Sequence, residues 1–226
     1  MERLSTGSHG IDGLLGGGFA SHQISLVYGE ASTGKTILSM HCALESARND
    51  FKVFYVDADQ SFSPHRLERL PGASQLAERI ILFRPEDFRD QVRIVESVES
   101  MLSRTPALLV IDSITGLYRS SNGKTDEVFA RNRELNRQLA YLNDLAPRFH
   151  LWILLTGQVH SSPTGRDWLV EPVATRTLRH WSSLIMRMRQ TPRTDVRECI
   201  LEKRDGAEVH GSRVLFRIGE DGIEDV

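Results

Sequence analysis

A strand that runs into the octapeptide GEASTGKT (Gly29–Thr36) and out into a helix leaves a chain few ways to fold. The octapeptide fits the phosphate-binding pattern of Gly, four residues, Gly-Lys-Thr. Before it, HQISLVYG is a short, β-rich apolar run; after it, KTILSMHCALESA has the composition of a helix. The order strand, glycine turn, helix is the one the chemistry requires. Successive backbone N–H groups in a tight turn point inward at an anion, and the helix N-terminus adds partial positive charge. Gly29 and Gly34 supply conformations that a side chain would obstruct. Lys35 would reach the β- and γ-phosphates, and Thr36 would offer its hydroxyl to Mg²⁺. Gly29, Glu30, Ala31, Ser32, Thr33, Gly34, Lys35 and Thr36 are therefore the candidate cradle for a nucleoside triphosphate.

The rest of the chain alternates strands with helices. Strands are predicted at Gln23–Tyr28, Lys52–Asp57, Ile80–Phe83, Ala107–Asp112 and Leu151–Gly157, with helical segments between the first four. Glu127–Ala146 is predicted as an amphipathic helix whose Leu135, Leu139, Leu142 and Ala146 share one face, a stripe that packs the core. Apolar strand runs alternating with helices imply an α/β fold with a mostly parallel sheet covered on both faces. The end changes character: Leu184–Arg189, Val196–Lys203 and Val214–Ile218 follow one another without a long helix, and an antiparallel extension at one sheet edge is expected. Cys42 and Cys199 lie far apart in apolar runs and are expected as core thiols. With 226 residues, no signal-peptide pattern and no membrane-length apolar run, a single cytoplasmic domain with no membrane contact is expected.

Three further elements bear on nucleotide chemistry. ALLVIDSITGLYR puts an apolar strand before Asp112, as a Walker B carboxylate needs in order to meet Mg²⁺ at the carboxyl edge of the sheet. In VFYVDADQSFSPHRL, Asp57 and Asp59 emerge from another strand at the same edge. One of them could activate the attacking water, or both could be surface acids at a strand end. LWILLTGQV places Gln158 after a buried strand, as a γ-phosphate sensor or as a simple strand-capping amide. Arginine is abundant, but genomic composition explains such an excess as well as phosphate binding does. Residues 160–204 hold nine Arg and Lys against five Asp and Glu. Arg166, Arg176 and Arg179 there accompany Trp168 and Trp181. Cations for phosphates with an aromatic for base stacking are the ingredients of a single-strand site, with Trp168 the candidate stacker and Trp181 expected in the core.

The order of LSTGSHGIDGLLGGGF, GEASTGKT, VDADQSF, LLVIDSITGLYR, RNRELNRQLAYLNDLA and LLTGQV resembles the RecA/RadA recombinase ATPase core, from Leu4 to Glu224. The tail, RTLRHWSSLIMRM with ILEKRDG and VLFRIGEDGIE, is most similar to archaeal RadB-type recombinase paralogues. The resemblance implies one RecA-like P-loop core over residues 1–226, with ATP and Mg²⁺ as cofactors. It assigns Lys35 and Thr36 to phosphate and metal, Asp112 to the metal through water, and Asp59 to the position of the water-activating glutamate. It also gives Arg66 to adenine stacking, Gln158 to the γ-phosphate sensor, and a second DNA loop over roughly Val159–Arg176. An ATP-binding, slowly hydrolysing DNA repair and recombination accessory is implied, a weak DNA-influenced ATPase that binds DNA, single-stranded in preference, and assists a RadA-type main recombinase.

The chain also departs from the recombinase pattern. It begins almost on the core, so no N-terminal helical DNA-binding domain and no Phe-x-x-Ala subunit hook are expected, and a homo-oligomer is left open. The sensor motif reads Thr-Gly-Gln with Gly157, the acid at Asp59 is one methylene short, and the second loop has PVATRT where a glycine pair is usual. Lys203 and Arg204 either reach a neighbouring subunit's nucleotide or sit in a solvated hairpin. A KaiC-like signalling ATPase, which usually carries adjacent glutamates where this chain has DADQ, and an ATP-switched scaffold are the alternatives.

Overall fold

The fold is taken from a computed structural model that describes residues 2–119, 125–164, 167–172 and 174–226, with backbone alone at 119, 125–126, 160–164 and 167–172. Its centre is a ten-stranded sheet: β1 Gln23–Gly29, β2 Lys52–Asp57, β3 Ile80–Phe83, β4 Ala107–Asp112, β5 Leu151–Gly157, β6 Leu184–Gln190, β7 Val196–Arg204, β8 Ala207–Glu208, β9 Arg213–Gly219 and β10 Gly222–Asp225. The spatial order is β10-β9-β7-β6-β1-β5-β4-β2-β3, with β8 paired to β7. From β6 through β3 every neighbouring pair is parallel. From β6 outward to β10 the pairs are antiparallel.

The expected antiparallel extension is present at one edge, and its first strand is the seam. Leu184–Gln190 belongs to both halves, parallel to β1 on one side and antiparallel to β7 on the other. The helix Thr175–Trp181 before it makes a crossover, which returns the chain to the same end of the sheet; tight turns take over only after it. The expected helix between β2 and β3 is also modified. Two short helices, Pro64–Glu68 and Ala73–Leu76, occupy that stretch. Pro71 and Gly72 separate them: proline has no N–H to continue a helix, and Gly72 takes φ +78°.

Alternation along the central strands explains why they read as continuous apolar runs. Val53 and Tyr55 of β2 and Leu108 and Val110 of β4 pack on the face covered by helices His9–Leu15 and Lys35–Arg48. Phe54, Val56, Leu109 and Ile111 pack on the opposite face, against Val95 and Val98 of helix Phe88–Val98 and the long helix Thr125–Arg148. Leu135, Leu139, Leu142 and Ala146 of that long helix are all fully buried, as their spacing predicts. Cys42 and Cys199 are buried free thiols in the first layer.

The chain ends meet on the phosphate-loop helix. Ser8 caps helix His9–Leu15 by accepting from Ile11 N. The Asp225 carboxylate accepts from Ser8 Oγ (2.5 Å), His9 N (2.9 Å) and Gly10 N (3.0 Å). These donors hold the Asp225 carboxyl below its ordinary pKa against the opposing effect of partial burial. In β10, Ile223 N donates to Nε2 of His41 on helix Lys35–Arg48 (3.1 Å). The last strand thus braces the helix that carries the phosphate loop.

Asp57 ends β2 and builds the turn that follows. Its fully buried carboxylate accepts from Ser61 N (2.8 Å) and Phe62 N (3.2 Å), and Arg84 lies 3.5 Å away. Burying two backbone donors without an acceptor costs about 1–3 kcal/mol, so Asp57→Ala should lower the unfolding free energy by that amount in urea melts. Asp59→Ala, at an exposed carboxylate that accepts only side-chain donors, should cost less than Asp57→Ala in the same measurement.

Candidate nucleotide site

β1 delivers the chain to the loop at Gly29, where a side chain has no room: a Cβ would lie 2.1 Å from the Met188 carbonyl of β6. Gly34 closes the loop at φ +102°, a left-handed conformation that favours glycine, and helix Lys35–Arg48 starts at the next residue. Lys35 folds back on its own loop, Nζ donating to the carbonyls of Gly29 (2.9 Å) and Glu30 (2.7 Å). Burial lowers its pKa, and the carboxylates of Asp112, Asp59 and Glu30 pull in the other direction. Thr33 Oγ1 donates to the Glu30 carbonyl (2.9 Å). From the antiparallel half of the sheet, Arg197 donates to the Ser32 carbonyl (3.3 Å). Gln190, at the end of β6, reaches the carbonyl of Ala31 (3.4 Å).

Asp112 ends β4 beside this loop and is almost wholly buried. Burial raises its pKa; hydrogen bonds from the Thr156, Thr36 and Tyr55 hydroxyls oppose that rise. Thr156 donates to Oδ1, and Tyr55 to Oδ2 at 2.9 Å. Both carboxylate oxygens are therefore already in use, which suits contact with a metal through water. Thr36 Oγ1 also meets Ser61 Oγ at 3.2 Å. Tyr55, Thr156 and Ser61 went unnoticed in the sequence. The one signal for Ser61 was its place in DADQS at the carboxyl edge; Tyr55 and Thr156 lie inside apolar runs that look like core.

The structure brings Asp59 and Gln158 together. Asp59 Oδ2 accepts from Gln158 Nε2 (2.8 Å) and from Ser113 Oγ (2.9 Å), and Asp59 N donates to the Asp112 carbonyl (3.1 Å). Three strand ends, after β2, β4 and β5, thus meet in one group of polar side chains beside Lys35. Arg66 lies on helix Pro64–Glu68 with an exposed side chain. Among the described residues it makes no hydrogen bond or ion pair with this group.

Beyond Gln158 the chain forms a two-stranded antiparallel hairpin, Val159–Thr164 with Asp167–Pro172, in which Trp168 pairs with Pro163. The expected loop over Val159–Arg176 is thus largely a hairpin, and its last two residues open helix Thr175–Trp181. Arg166 lies outside the described residues, and Trp168 is described in its backbone alone. Arg176 is exposed on the first turn of the helix. Arg179, expected among the DNA-facing cations, is instead paired within the chain, to Glu202 (3.0 Å) and to Glu208 (2.6 Å). Trp181 packs at the edge of the core, as expected, and donates to Asn136 Oδ1 (2.9 Å).

Lys203 and Arg204 also turn inward. Lys203 Nζ donates to the carbonyls of Arg179 and Ser182, both at 2.8 Å, and so caps the end of helix Thr175–Trp181. Burial lowers its pKa. Arg204 donates to the Leu14 carbonyl at the end of helix His9–Leu15. The two residues do lie in a hairpin with an exposed turn, paired with Glu208 and Ala207, but their side chains fold back on their own chain.

With this geometry in hand, the comparisons are consistent along the whole chain. The Rad51 family model matches residues 1–226. The DNA repair and recombination protein RadB of Thermococcus kodakarensis is 36% identical over 99% of each chain. The protein of the same description from Pyrococcus furiosus is 33% identical, over 100% of this chain and 96% of its own. A crystal structure of the RadB recombinase superposes with a TM-score of 0.82 at 36% identity, covering 99% of both chains. The phosphate loop, the buried Asp112, the sheet order and these end-to-end similarities lead to one assignment: the chain belongs to the Rad51 family.

Proposed function

We propose that this chain is an ATP-binding, slowly hydrolysing accessory of DNA repair and recombination that binds single-stranded DNA and assists a main recombinase of the RadA type. The observation that carries this reading is the 2.8 Å hydrogen bond between Gln158 and Asp59. It joins the acid best placed to activate water to the residue from which the hairpin departs, so that a change at the phosphate end is felt where DNA would bind. The names of the relatives, which describe DNA repair and recombination, support the same reading.

The residues present fit ATP and Mg²⁺. A glycine-bounded turn before a helix N-terminus suits the phosphates. Lys35, half-buried and bonded to the Gly29 and Glu30 carbonyls, would exchange those acceptors for phosphate oxygens. Thr36 and the buried Asp112 form the oxygen-donor pair that Mg²⁺ prefers. Magnesium held there would offset phosphate charge. Asp59 would accept the proton of the attacking water, and Gln158 would exchange its bond to Asp59 for one to the terminal phosphate. Arg66 would lie over the adenine. On the hairpin and the helix after it, Arg166 and Arg176 would hold phosphates while Trp168 stacks on a base.

Lys35→Ala should weaken ATP binding about ten- to a hundred-fold, the equivalent of losing a charge-assisted contact of roughly 1.5–3 kcal/mol. Unchanged affinity in equilibrium titration would remove Gly29–Thr36 as the site. Asp59→Asn should bind ATP yet nearly stop hydrolysis. Asp59→Glu should speed it, because the acid reaches further by about 1.5 Å and misplacement by about 1 Å can cost around a hundred-fold in rate. Wild-type hydrolysis by Asp59→Asn would end the assignment, and the buried Asp57, already committed to its turn, would not replace it. Fluorescence-detected titration of single-stranded DNA with ATP, ADP or no nucleotide tests the DNA reading. Binding should strengthen with ATP, weaken by about 0.7 logarithmic units per phosphate contact for each tenfold rise in salt, and lose about 1–3 kcal/mol in Trp168→Ala. No binding under any nucleotide condition would leave the signalling or scaffold alternatives.

A further inference from the structure

Gly116 opens the short helix Gly116–Arg119, and its φ lies outside the left-handed region, so the backbone alone does not call for glycine. Space does. A Cβ at Gly116 would stand 1.8 Å from Asp59 Oδ1 and 3.2 Å from Ser113 Oγ. The Asp59 carboxylate therefore occupies the volume that any side chain at position 116 would fill. Its other oxygen is held by Ser113 and Gln158, at 2.9 and 2.8 Å. One oxygen is placed by an absence of atoms, the other by two donors.

We propose that Gly116 and Ser113 are positioning residues for the water-activating acid: Gly116 makes the space in which the Asp59 carboxylate stands, and Ser113 anchors it there. This inference rests on the reading of Asp59 as that acid. A short carboxylate has little reach of its own, so its position depends on what surrounds it. An alanine at 116 displaces the free end of a flexible side chain rather than backbone, so the fold survives while the carboxylate swings. The same swing breaks the bond between Asp59 and Gln158.

The test uses the full chain with ATP and Mg²⁺, measuring ATP affinity by titration and hydrolysis by single-turnover kinetics. Gly116→Ala should lower the hydrolytic rate by about ten- to a hundred-fold, the scale of an ångström-sized misplacement, and leave ATP affinity within about two-fold. Ser113→Ala, which adds no atoms and cannot clash, should lower the rate in the same direction by a smaller factor. In an Asp59→Asn background neither change should lower the residual rate further, because the group they position no longer acts as a base. Gly116→Ala at the wild-type rate, where Asp59→Asn is impaired, would overturn the positioning role alone. Equal losses in the wild-type and Asp59→Asn backgrounds would do the same. Wild-type hydrolysis by Asp59→Asn would overturn the reading of Asp59, and the positioning role with it.

Discussion

The carboxyl edge of the sheet beside the phosphate loop is arranged around the buried Asp112 carboxylate. Removing a carboxylate from water is costly unless donors replace the lost solvent. Here the donors are three hydroxyls from three elements: Tyr55 on β2, Thr156 on β5 and Thr36 on the loop helix. The requirement to solvate Asp112 therefore fixes the relative position of two strands and a helix. Tyr55 shares the cost, its hydroxyl pushed well above the ordinary range by burial and by the same carboxylate. The backbone carbonyl of Asp112 accepts Asp59 N, so the second acid is registered on the first.

The second constraint comes from the antiparallel half of the sheet, which acts as a brace on the phosphate loop. Met188 on β6 approaches Gly29 so closely that only glycine fits. Arg197 and Gln190 donate to the loop carbonyls of Ser32 and Ala31. Asp225 ties the last strand to the first helix, and His41 ties it to the loop helix. Charged residues of this region that look available in the sequence are consumed in this work: Lys203 on the helix end at Ser182, Arg204 on Leu14, Arg179 on Glu202 and Glu208.

That consumption marks where sequence reasoning runs out. The parallel strands, the loop and Asp112 were legible because each is a local pattern: an apolar run, a spacing, a strand end. The long helix was legible from the period of Leu135, Leu139 and Leu142. Whether an arginine faces solvent or a carboxylate is settled by residues distant in the chain. Arg179 and Glu202 are 23 residues apart, and nothing local to either signals the pair. Asp57 and Asp59 look alike in VDADQ, yet two residues of separation at the end of a twisting strand send one into a buried turn and leave the other at the site. The hydroxyls around Asp112 were hidden because Tyr55 and Thr156 are good strand residues in their own right.

The same distant contacts link the two ends of the proposed activity. Tyr28, the residue before the loop, donates to Glu202 Oε1 at 2.6 Å. Glu202 pairs with Arg179, and the Arg179 carbonyl accepts Lys203. Burial and Glu202 raise the Tyr28 hydroxyl far above its ordinary pKa, so it stays a donor throughout the working range of pH. The helix that follows the hairpin is therefore fastened to the strand that precedes the phosphates, while the hairpin's other end leaves from Gln158 beside Asp59. The Gln158 end includes a side-chain bond to the exposed Asp59 carboxylate and a backbone N–H bond to Thr115 Oγ1. The Arg179 end rests on a partly buried network that runs from Tyr28 through Glu202 to Arg179 and Lys203.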